Sequence, residues 1–299
     1  MTTSPTGFFV QFPHPGGEHN PPTDDMAWNT GPHRRKFLIA PGRYLDSDDQ
    51  IGAADLVFWG EWEPPSQVER RWPASRRLPR ALHRPSWGEP TRRVRQNTDP
   101  WVWGEPMIYS NCKQIGPRPH RRPSAMQRLT RGSVICFGST IQGEFCLDTV
   151  FVVASAEPWT PGEATDLTVD EAFKTCTAGA IAARRSDAHL PLTLYRGATA
   201  DNPVQGMFSF VPARRADRDD LRFPRPPTQL PGFINPASRQ STWGSKRPLP
   251  LNTLRNNWEA VRHQVLTADL LLAVWLRTPN SQSNPAAVAR AADNAAEAP

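Results

Sequence analysis

Proline constrains this chain more than any other residue type: 33 of the 299 residues are proline. Proline lacks a backbone N–H and fixes φ, so it is excluded from the interior of helices and of central strands. The chain also contains 11 tryptophans, and aromatic residues are scarce in disordered chains. Together these residue types predict short strands that are joined by long, ordered loops.

The apolar runs between the prolines predict an α+β fold, in which a twisted or barrel-like mixed sheet packs with two main helices. Alternating or continuous apolar segments predict strands at residues 7–12, 36–40, 55–63, 107–110, 133–138, 146–154, 192–196 and 207–211. Thr168 and Glu171 form a capping-box pattern, which predicts a helix that has Thr168 as its N-cap and ends near Arg184. An apolar stripe predicts the second helix over residues 253–276.

One β-rich globular domain is predicted over residues 1–277, with a Pro/Arg-rich insertion at about residues 64–100. Residues 67–97 of that insertion contain nine arginines and four prolines, so no regular element is predicted there. Residues 117–123 form a second basic stretch. Residues 278–299 lack hydrophobic periodicity and are predicted to be a disordered tail.

Arginine carries most of the positive charge, and the formal net charge is +6. Arginine binds phosphate in a bidentate way and stacks on flat rings, so DNA or RNA is the expected partner. Trp72 and Trp87 lie among the arginines of the insertion and are candidate stacking surfaces for a single strand. The alternative is that the arginines reflect the codon preference of a GC-rich bacterial genome and that the insertion is a solvated linker.

The sequence indicates neither a targeting segment nor a membrane span. Residues 1–12 lack the basic and apolar regions of a signal peptide, and no apolar stretch approaches about 18 residues. A cytoplasmic protein without membrane contact is therefore predicted. The cysteines show no CxxC spacing, so free thiols are expected at Cys112, Cys136, Cys146 and Cys176.

A Trp-Gly-Glu-Trp-Glu segment at the end of the third predicted strand is the most distinctive candidate site. Alternate side chains of a strand share a face, so Phe58 and Trp62 would face the core. Trp59, Glu61 and Glu63 would share the opposite face. A base can stack on the indole while the carboxylates accept hydrogen bonds from its amino groups. The alternative is a surface strand whose glutamates pair with the arginines that follow.

A second candidate site combines the Cys112-Lys113 step with the strand and Gly-Ser turn at residues 132–139. Over residues 106–154 this pattern resembles the nucleotide-modification-associated and PUA-, EVE- and ASCH-like small β-barrel proteins. The resemblance implies a barrel that binds or acts near modified bases, with Cys112, Lys113 and Ser139 near its pocket. The alternative is a generic hairpin with a buried cysteine.

A third candidate is the Tyr-Arg-Gly sequence that ends at Gly197. It resembles the first motif of arginine-type ADP-ribosyltransferases, in which the arginine, here Arg196, grips a nicotinamide dinucleotide. Those enzymes need a Glu-X-Glu turn later in the chain, whereas the only such pair in this sequence precedes the arginine. Arg196 would otherwise bind a phosphate or a carboxylate in the core.

No cofactor and no metal are predicted. A Walker loop and a dinucleotide-binding glycine fingerprint are absent from the sequence. His14, Glu18 and His19 lie close together and could ligate zinc or iron, but a metal site needs a further ligand that the sequence does not indicate.

The sequence therefore favours a nucleic-acid-binding protein that handles a modified or extruded base. Trp59 would stack on the base, Glu61 and Glu63 would accept hydrogen bonds, and arginines such as Arg70 and Arg71 would hold phosphates. Two alternatives stay open. One is an enzyme that modifies a nucleotide or nucleic acid, with either glutamate as the acid–base group. The other is a protein–protein adaptor whose proline and tryptophan segments bind partners.

Overall fold

The structure is a computed structural model, and it describes residues 5–20, 34–88, 98–117, 121–184, 186–238, 242–243 and 247–281. These residues form two six-stranded sheets, one two-stranded sheet and several helices, which confirms the predicted mixed α+β class. Within these ranges, no helix is both long and apolar enough to cross a membrane.

Strands dominate the fold. In chain order they are β1 (Thr6–Gly7), β2 (Phe9–Pro13), β3 (Arg35–Leu45), β4 (Ile51–Glu61), β5 (Ser66–Arg71), β6 (Ala81–Pro85), β7 (Ile108–Tyr109), β8 (Val134–Ile141), β9 (Glu144–Trp159), β10 (Leu192–Gly197), β11 (Val211–Arg215), β12 (Thr242–Trp243), β13 (Leu249–Pro250) and β14 (Leu271–Leu276). The α-helices are α1 (Glu171–Phe173), α2 (Ala180–Ala182) and α3 (Leu251–Thr267). A π-helix, Lys174–Gly179, joins α1 to α2, and two 3₁₀-helices span Ala125–Arg128 and Pro161–Asp166.

The strands pair in three sheets. The first six-stranded sheet has the order β12-β2-β8-β9-β10-β7, in which only β2 and β8 are parallel. The second has the order β14-β11-β4-β3-β6-β5. Because β14 also pairs with β3, the strands β3, β4, β11 and β14 pair in a circuit. Strands β1 and β13 form the small third sheet.

The central strands are buried on both faces, and the alternation of their side chains separates two hydrophobic cores. Along β4, Leu56 and Phe58 belong to one core, whereas Val57 and Trp59 belong to the other. The predicted alternation is therefore correct. The second face is covered rather than solvent-facing, because helix α3 and strands of the other sheet pack there, and Trp59 is only 4% exposed.

Helix α3 ends at Thr267 and not at Leu276, so the predicted second helix is too long. Asp269 has a φ of 56°, and this left-handed conformation interrupts the helix. The apolar residues that follow form β14 instead. A short continuous apolar run fits a buried strand as well as a helix, so periodicity alone could not separate the two.

Helix α1 begins with Asp170 as its N-cap, and the predicted cap at Thr168 is wrong. The Asp170 Oδ1 atom accepts a hydrogen bond from the backbone N–H of Phe173 at 2.7 Å. Its Oδ2 atom accepts another from the Thr278 hydroxyl at 3.1 Å. Asp and Thr are both good N-cap residues, and the tertiary contact to Thr278 favours the later position.

We expect an Asp170→Ala variant to lose about 1 kcal/mol of unfolding free energy, because the cap bond disappears. Thr168→Ala is the matched control, since Thr168 is exposed and lies before the cap; its effect should stay below about 0.5 kcal/mol. Denaturant-induced unfolding of both variants measures the difference. Equal losses in the two variants would contradict the assignment of the cap.

The predicted insertion contains regular structure, contrary to expectation. Strands β5 and β6 pair with each other, and β6 pairs with β3, so they form one edge of the second sheet. Edge strands tolerate charged residues and prolines, which disguised these two strands in the sequence. Residues 89–97 of the insertion, and residues 118–120 of the second basic stretch, lie outside the described residues.

The start of the predicted disordered tail is held against the insertion. The backbone N–H of Trp87 donates to the carbonyl oxygen of Asn280 at 3.2 Å. The indole N–H of Trp87 donates to the carbonyl oxygen of Pro279 at 2.9 Å. The rest of the predicted tail, residues 282–299, lies outside the described residues.

Candidate functional site

A network of buried charges joins the two six-stranded sheets. Arg35, at the start of β3, and Glu61, at the end of β4, are cross-strand partners. The Arg35 Nη1 atom lies 3.1 Å from Glu61 Oε2, and Arg35 Nε donates to Asp148 Oδ2 at 2.9 Å. Burial alone would lower the pKa of Arg35, but the two carboxylates outweigh this effect and raise it. Arg35 therefore stays charged between its two partners.

A β-bulge brings Asp148 into this network. The register between β8 and β9 shifts by one residue, and Asp148 is the extra residue on β9. A bulge changes the direction of a side chain, which here turns a carboxylate into the buried network. Gly138 is needed on the opposite strand, because a Cβ atom there would lie 2.3 Å from the carbonyl oxygen of Cys146.

Arg225 extends the network from Asp148. Its Nη1 atom donates to the Ser139 hydroxyl at 3.0 Å and lies 3.8 Å from Asp148 Oδ1. Its Nη2 atom donates to the carbonyl oxygen of Gly16 at 2.6 Å. The guanidinium group also lies 4.7 Å from the ring centroid of Trp59. Trp59 is buried beside this cation, so its indole is not open to the base that it was predicted to stack on.

A cavity lies at the other end of the network. It has a volume of about 200 Å³ and is lined by Pro13, His14, Pro15, Glu61, Cys112 and Lys113. His14 Nδ1 lies 3.1 Å from Glu61 Oε2, and burial lowers the pKa of His14 despite the opposing attraction of Glu61. Lys113 Nζ donates to the carbonyl oxygen of Pro13 at 2.8 Å. We call this space the histidine cavity.

Asp99 fixes the loop that carries two of the cavity residues. Its carboxylate accepts hydrogen bonds from the backbone N–H groups of Ser110 at 2.8 Å, Asn111 at 3.0 Å and Cys112 at 2.6 Å. Burial raises the pKa of Asp99 to about 6, although these bonds favour the carboxylate. Burial also raises the pKa of Cys112 well above its usual value, so Cys112 is a neutral thiol. All four cysteines are free, as predicted.

A second cavity, of about 170 Å³, concentrates arginines around Arg225. Its charged lining consists of Glu18, Arg76, Arg77, Arg80, Glu144 and Arg225, so it has a net formal charge of +2. Arg77 pairs with Glu144 at 3.1 Å, and Glu18 accepts a hydrogen bond from the backbone N–H of Arg80 at 2.6 Å. Trp59 and Cys146 contribute to the same wall. We call this space the arginine pocket.

Five of the predicted site residues lie along the network or in its cavities: Trp59, Glu61, Cys112, Lys113 and Ser139. The others lie apart from the two cavities. Glu63 is buried beyond the end of β4. Arg196 pairs at 2.8 Å with Glu157, which is a partly exposed carboxylate and not one in the core. Arg70 lies 5.5 Å from the Trp72 ring, and Arg71 donates to the Asn20 side chain at 3.2 Å.

The histidines near the start of the chain do not gather around a common point. His14 contacts Glu61, whereas Glu18 contacts Arg80 and the ring of His19 lies 5.7 Å from that of His83. No cluster of three or more His, Cys, Asp or Glu side chains suited to a metal occurs in the described part of the chain.

Three members of the network were not predicted, namely Arg35, Asp148 and Arg225. Arg35 and Asp148 are separated by 113 residues, so no local pattern connects them. One feature of the sequence could have indicated Asp148. Asp148 is a single charge within the apolar segment of residues 145–153, and a charge in a buried strand is rarely found without a partner.

The site thus contains two chemically different cavities that one chain of ion pairs connects. The histidine cavity offers an imidazole and an amine, which suit proton transfer. The arginine pocket offers guanidinium groups, which suit binding of phosphate or carboxylate. No protein-family model, no curated protein and no solved structure matches this chain.

Proposed function

We propose that this protein binds nucleic acid through the arginine pocket. The observation that carries the proposal is the position of exposed Arg76, Arg77 and Arg80 around the buried Arg225, in one pocket of net charge +2. Guanidinium groups bind phosphate oxygens in a bidentate way, and several of them along a groove track a phosphate backbone. The two glutamates of the pocket leave this positive excess in place.

Arg225 is the fixed element of the proposed binding surface. Its contacts to Ser139, Gly16 and Asp148 hold the guanidinium group in one orientation. An arginine that is already ordered loses little side-chain entropy when it binds a phosphate. The exposed arginines around it can adjust to the path of the strand.

A stacking surface adjoins the pocket at Trp72. The backbone N–H of Trp72 donates to the carbonyl oxygen of Arg80 at 2.8 Å. Its half-buried ring lies 5.5 Å from the guanidinium of Arg70 and 5.2 Å from that of Arg222. Since Trp59 is buried, we propose Trp72 as the residue on which a base stacks.

The proposal extends to modified or extruded bases. The support for this step is the resemblance of residues 106–154 to the PUA-, EVE- and ASCH-like proteins, which would bind such a base near Ser139. Ser139 donates its hydroxyl to the Pro15 carbonyl at 3.3 Å and accepts from Arg225, so it lies between the two cavities. A duplex with one modified base therefore belongs among the test ligands.

The test measures binding of labelled single-stranded DNA, RNA, a plain duplex and a modified duplex between about 50 and about 200 mM salt. The triple variant Arg76→Ala, Arg77→Ala, Arg80→Ala should weaken single-strand binding at least about tenfold. It should also reduce the slope of log affinity against log salt by about 2, since each lost phosphate contact contributes about 0.7.

The control is a second triple variant with the same change in charge: Arg122→Ala, Arg128→Ala, Arg255→Ala. These arginines are exposed and do not line the pocket. If both triple variants weaken binding equally, net charge and not the pocket determines affinity. If the unmodified protein binds none of the strands at low salt, the proposal fails and the adaptor becomes the better hypothesis.

A further inference from the structure

We propose that the histidine cavity is an active site that cleaves RNA by transesterification, with His14 as general base and Lys113 as general acid. This inference rests on the proposed function, because it specifies RNA as the nucleic acid and its phosphodiester as the reacting group. The histidine cavity and the arginine pocket have no lining residue in common, so binding and chemistry can be tested separately.

His14 has the protonation and orientation that a general base needs. Glu61 lies beside Nδ1 at 3.1 Å, and a carboxylate at that position favours the tautomer that carries its proton on Nδ1. Nδ1 is buried and has no other hydrogen-bond partner in the described part of the chain, so Glu61 is the group that sets its protonation. In that tautomer the Nε2 atom carries the lone pair that would accept a proton from the substrate. Because burial lowers the pKa of His14, the ring is neutral at neutral pH and can accept a proton.

Lys113 is held as the proton donor. Its Nζ atom donates to the Pro13 carbonyl oxygen at 2.8 Å and lies 4.5 Å from the centre of the Phe12 ring. Burial lowers the pKa of Lys113, which makes the ammonium a better acid than an ordinary lysine.

The backbone at Lys113 supports a dedicated role. Its φ is 59°, a conformation that a residue other than glycine adopts rarely and at a cost in energy. The surroundings enforce this conformation: Asp99 holds the preceding N–H groups, and the Ser124 hydroxyl donates to the Lys113 carbonyl oxygen at 2.6 Å. The residue with this strained backbone therefore also lines the cavity.

The reaction balances with these two groups alone. The ribose 2′-oxygen attacks the adjacent phosphorus, and the 2′-hydroxyl proton passes to His14 Nε2. The bond from phosphorus to the 5′-oxygen breaks, and that oxygen takes a proton from Lys113. The products are a 2′,3′-cyclic phosphate and a 5′-hydroxyl, and exchange with water restores both side chains. Cys112 takes no part, because it is a neutral thiol.

The experiment incubates the full chain with labelled RNA, with a DNA strand of the same sequence, and with that DNA containing a single ribonucleotide. EDTA is present in every reaction. We expect cleavage of the RNA and cleavage of the mixed strand only at its ribonucleotide, with cyclic phosphate ends identified by mass spectrometry. His14→Gln and Lys113→Met should each slow cleavage at least about 100-fold, because each removes one proton-transfer group. Binding of the DNA strand, measured in parallel, separates a loss of chemistry from a loss of binding.

Glu61 is a positioning residue in this scheme, because it orients His14 and does not touch the substrate. Glu61→Gln should lower kcat about 10-fold or more while KM stays unchanged, because the neutral amide no longer favours the required tautomer. A parallel rise in KM would contradict the positioning role, and circular dichroism checks that the variant used is folded.

The possible results distinguish this inference from the proposed function. RNA that is bound but not cut overturns the inference alone. Cleavage that persists in His14→Gln, or equal cleavage of DNA, also overturns it. Normal cleavage with an unchanged KM in the arginine triple variant supports the inference and contradicts the proposed binding surface. If His14→Gln does not fold, Lys113→Met decides, because Lys113 lies outside the buried ion pairs of Arg35 with Glu61 and Asp148.

Discussion

Replacement of Arg35 by methionine is expected to lower the free energy of unfolding by about 3 to 5 kcal/mol. Arg35 is 1% exposed, and its guanidinium group contacts both Glu61 and Asp148. Methionine fills a similar volume, but it leaves two buried carboxylates without their cation. Denaturant-induced unfolding at neutral pH measures the loss.

The matched control is Arg84→Met on the neighbouring strand β6. Arg84 pairs with Glu69 at a site where both side chains are partly exposed, so its loss should cost less than about 1 kcal/mol. The loss of unfolding free energy in the Arg35 variant should also become smaller at acidic pH, because protonation removes the charge from the two carboxylates that have lost their cation. A loss at Arg35 as small as that at Arg84 would show that the buried network does not stabilise the fold.

The free energy of unfolding is expected to rise as the pH increases from 7 to about 8, by up to about 1.4 kcal/mol per pH unit. The cause is Lys36, which is fully buried and donates its Nζ hydrogen to the Pro64 carbonyl oxygen at 2.9 Å. Burial lowers the pKa of Lys36 from 10.5 to about 7. Above pH 7 the folded protein holds the neutral amine, while the unfolded chain keeps its proton up to pH 10.5. Unfolding therefore takes up a proton in this window, and alkali stabilises the folded state.

Lys36→Met should remove this slope between pH 7 and about pH 8. Above about pH 8 the buried thiols act in the opposite direction, since burial raises the pKa of Cys112, Cys136 and Cys146 and the unfolded chain loses these protons first. Urea unfolding at several pH values, compared between the two proteins, isolates the contribution of Lys36. An equal slope of unfolding free energy against pH in the two proteins would show that a group other than Lys36 titrates.

The sequence predicted the fold best where local patterns determine structure. The alternation in β4 is correct, because every second residue of a strand points to the same face. The edge strands β5 and β6 were missed, because their arginines and prolines are typical of loops as well as of edges. The end of α3 was misplaced, since a continuous apolar run has no period that separates a helix from a buried strand.

The candidate site could be predicted only in part. Glu61, Cys112 and Lys113 were selected from separate motifs, and the structure brings them to one cavity. The sequence could not indicate that Arg35 would neutralise Glu61, or that a bulge would turn Asp148 inward, because both depend on pairing between distant strands. Base stacking was predicted for Trp59 because only one face of its strand was expected to pack against a core.

The parallel pairing of β2 with β8 also has a consequence during synthesis of the chain. The bond that begins this pairing, from Phe8 to Ser133, spans 125 residues. At about 5 to 20 residues per second, a ribosome needs about 6 to 25 s to make the partner after β2 is complete. Throughout that delay the five residues of β2, all buried in the finished protein, have no strand to pair with. Pro13 ends β2 and Pro15 lies two residues later, and such prolines hinder the pairing of nascent chains with one another before β8 emerges.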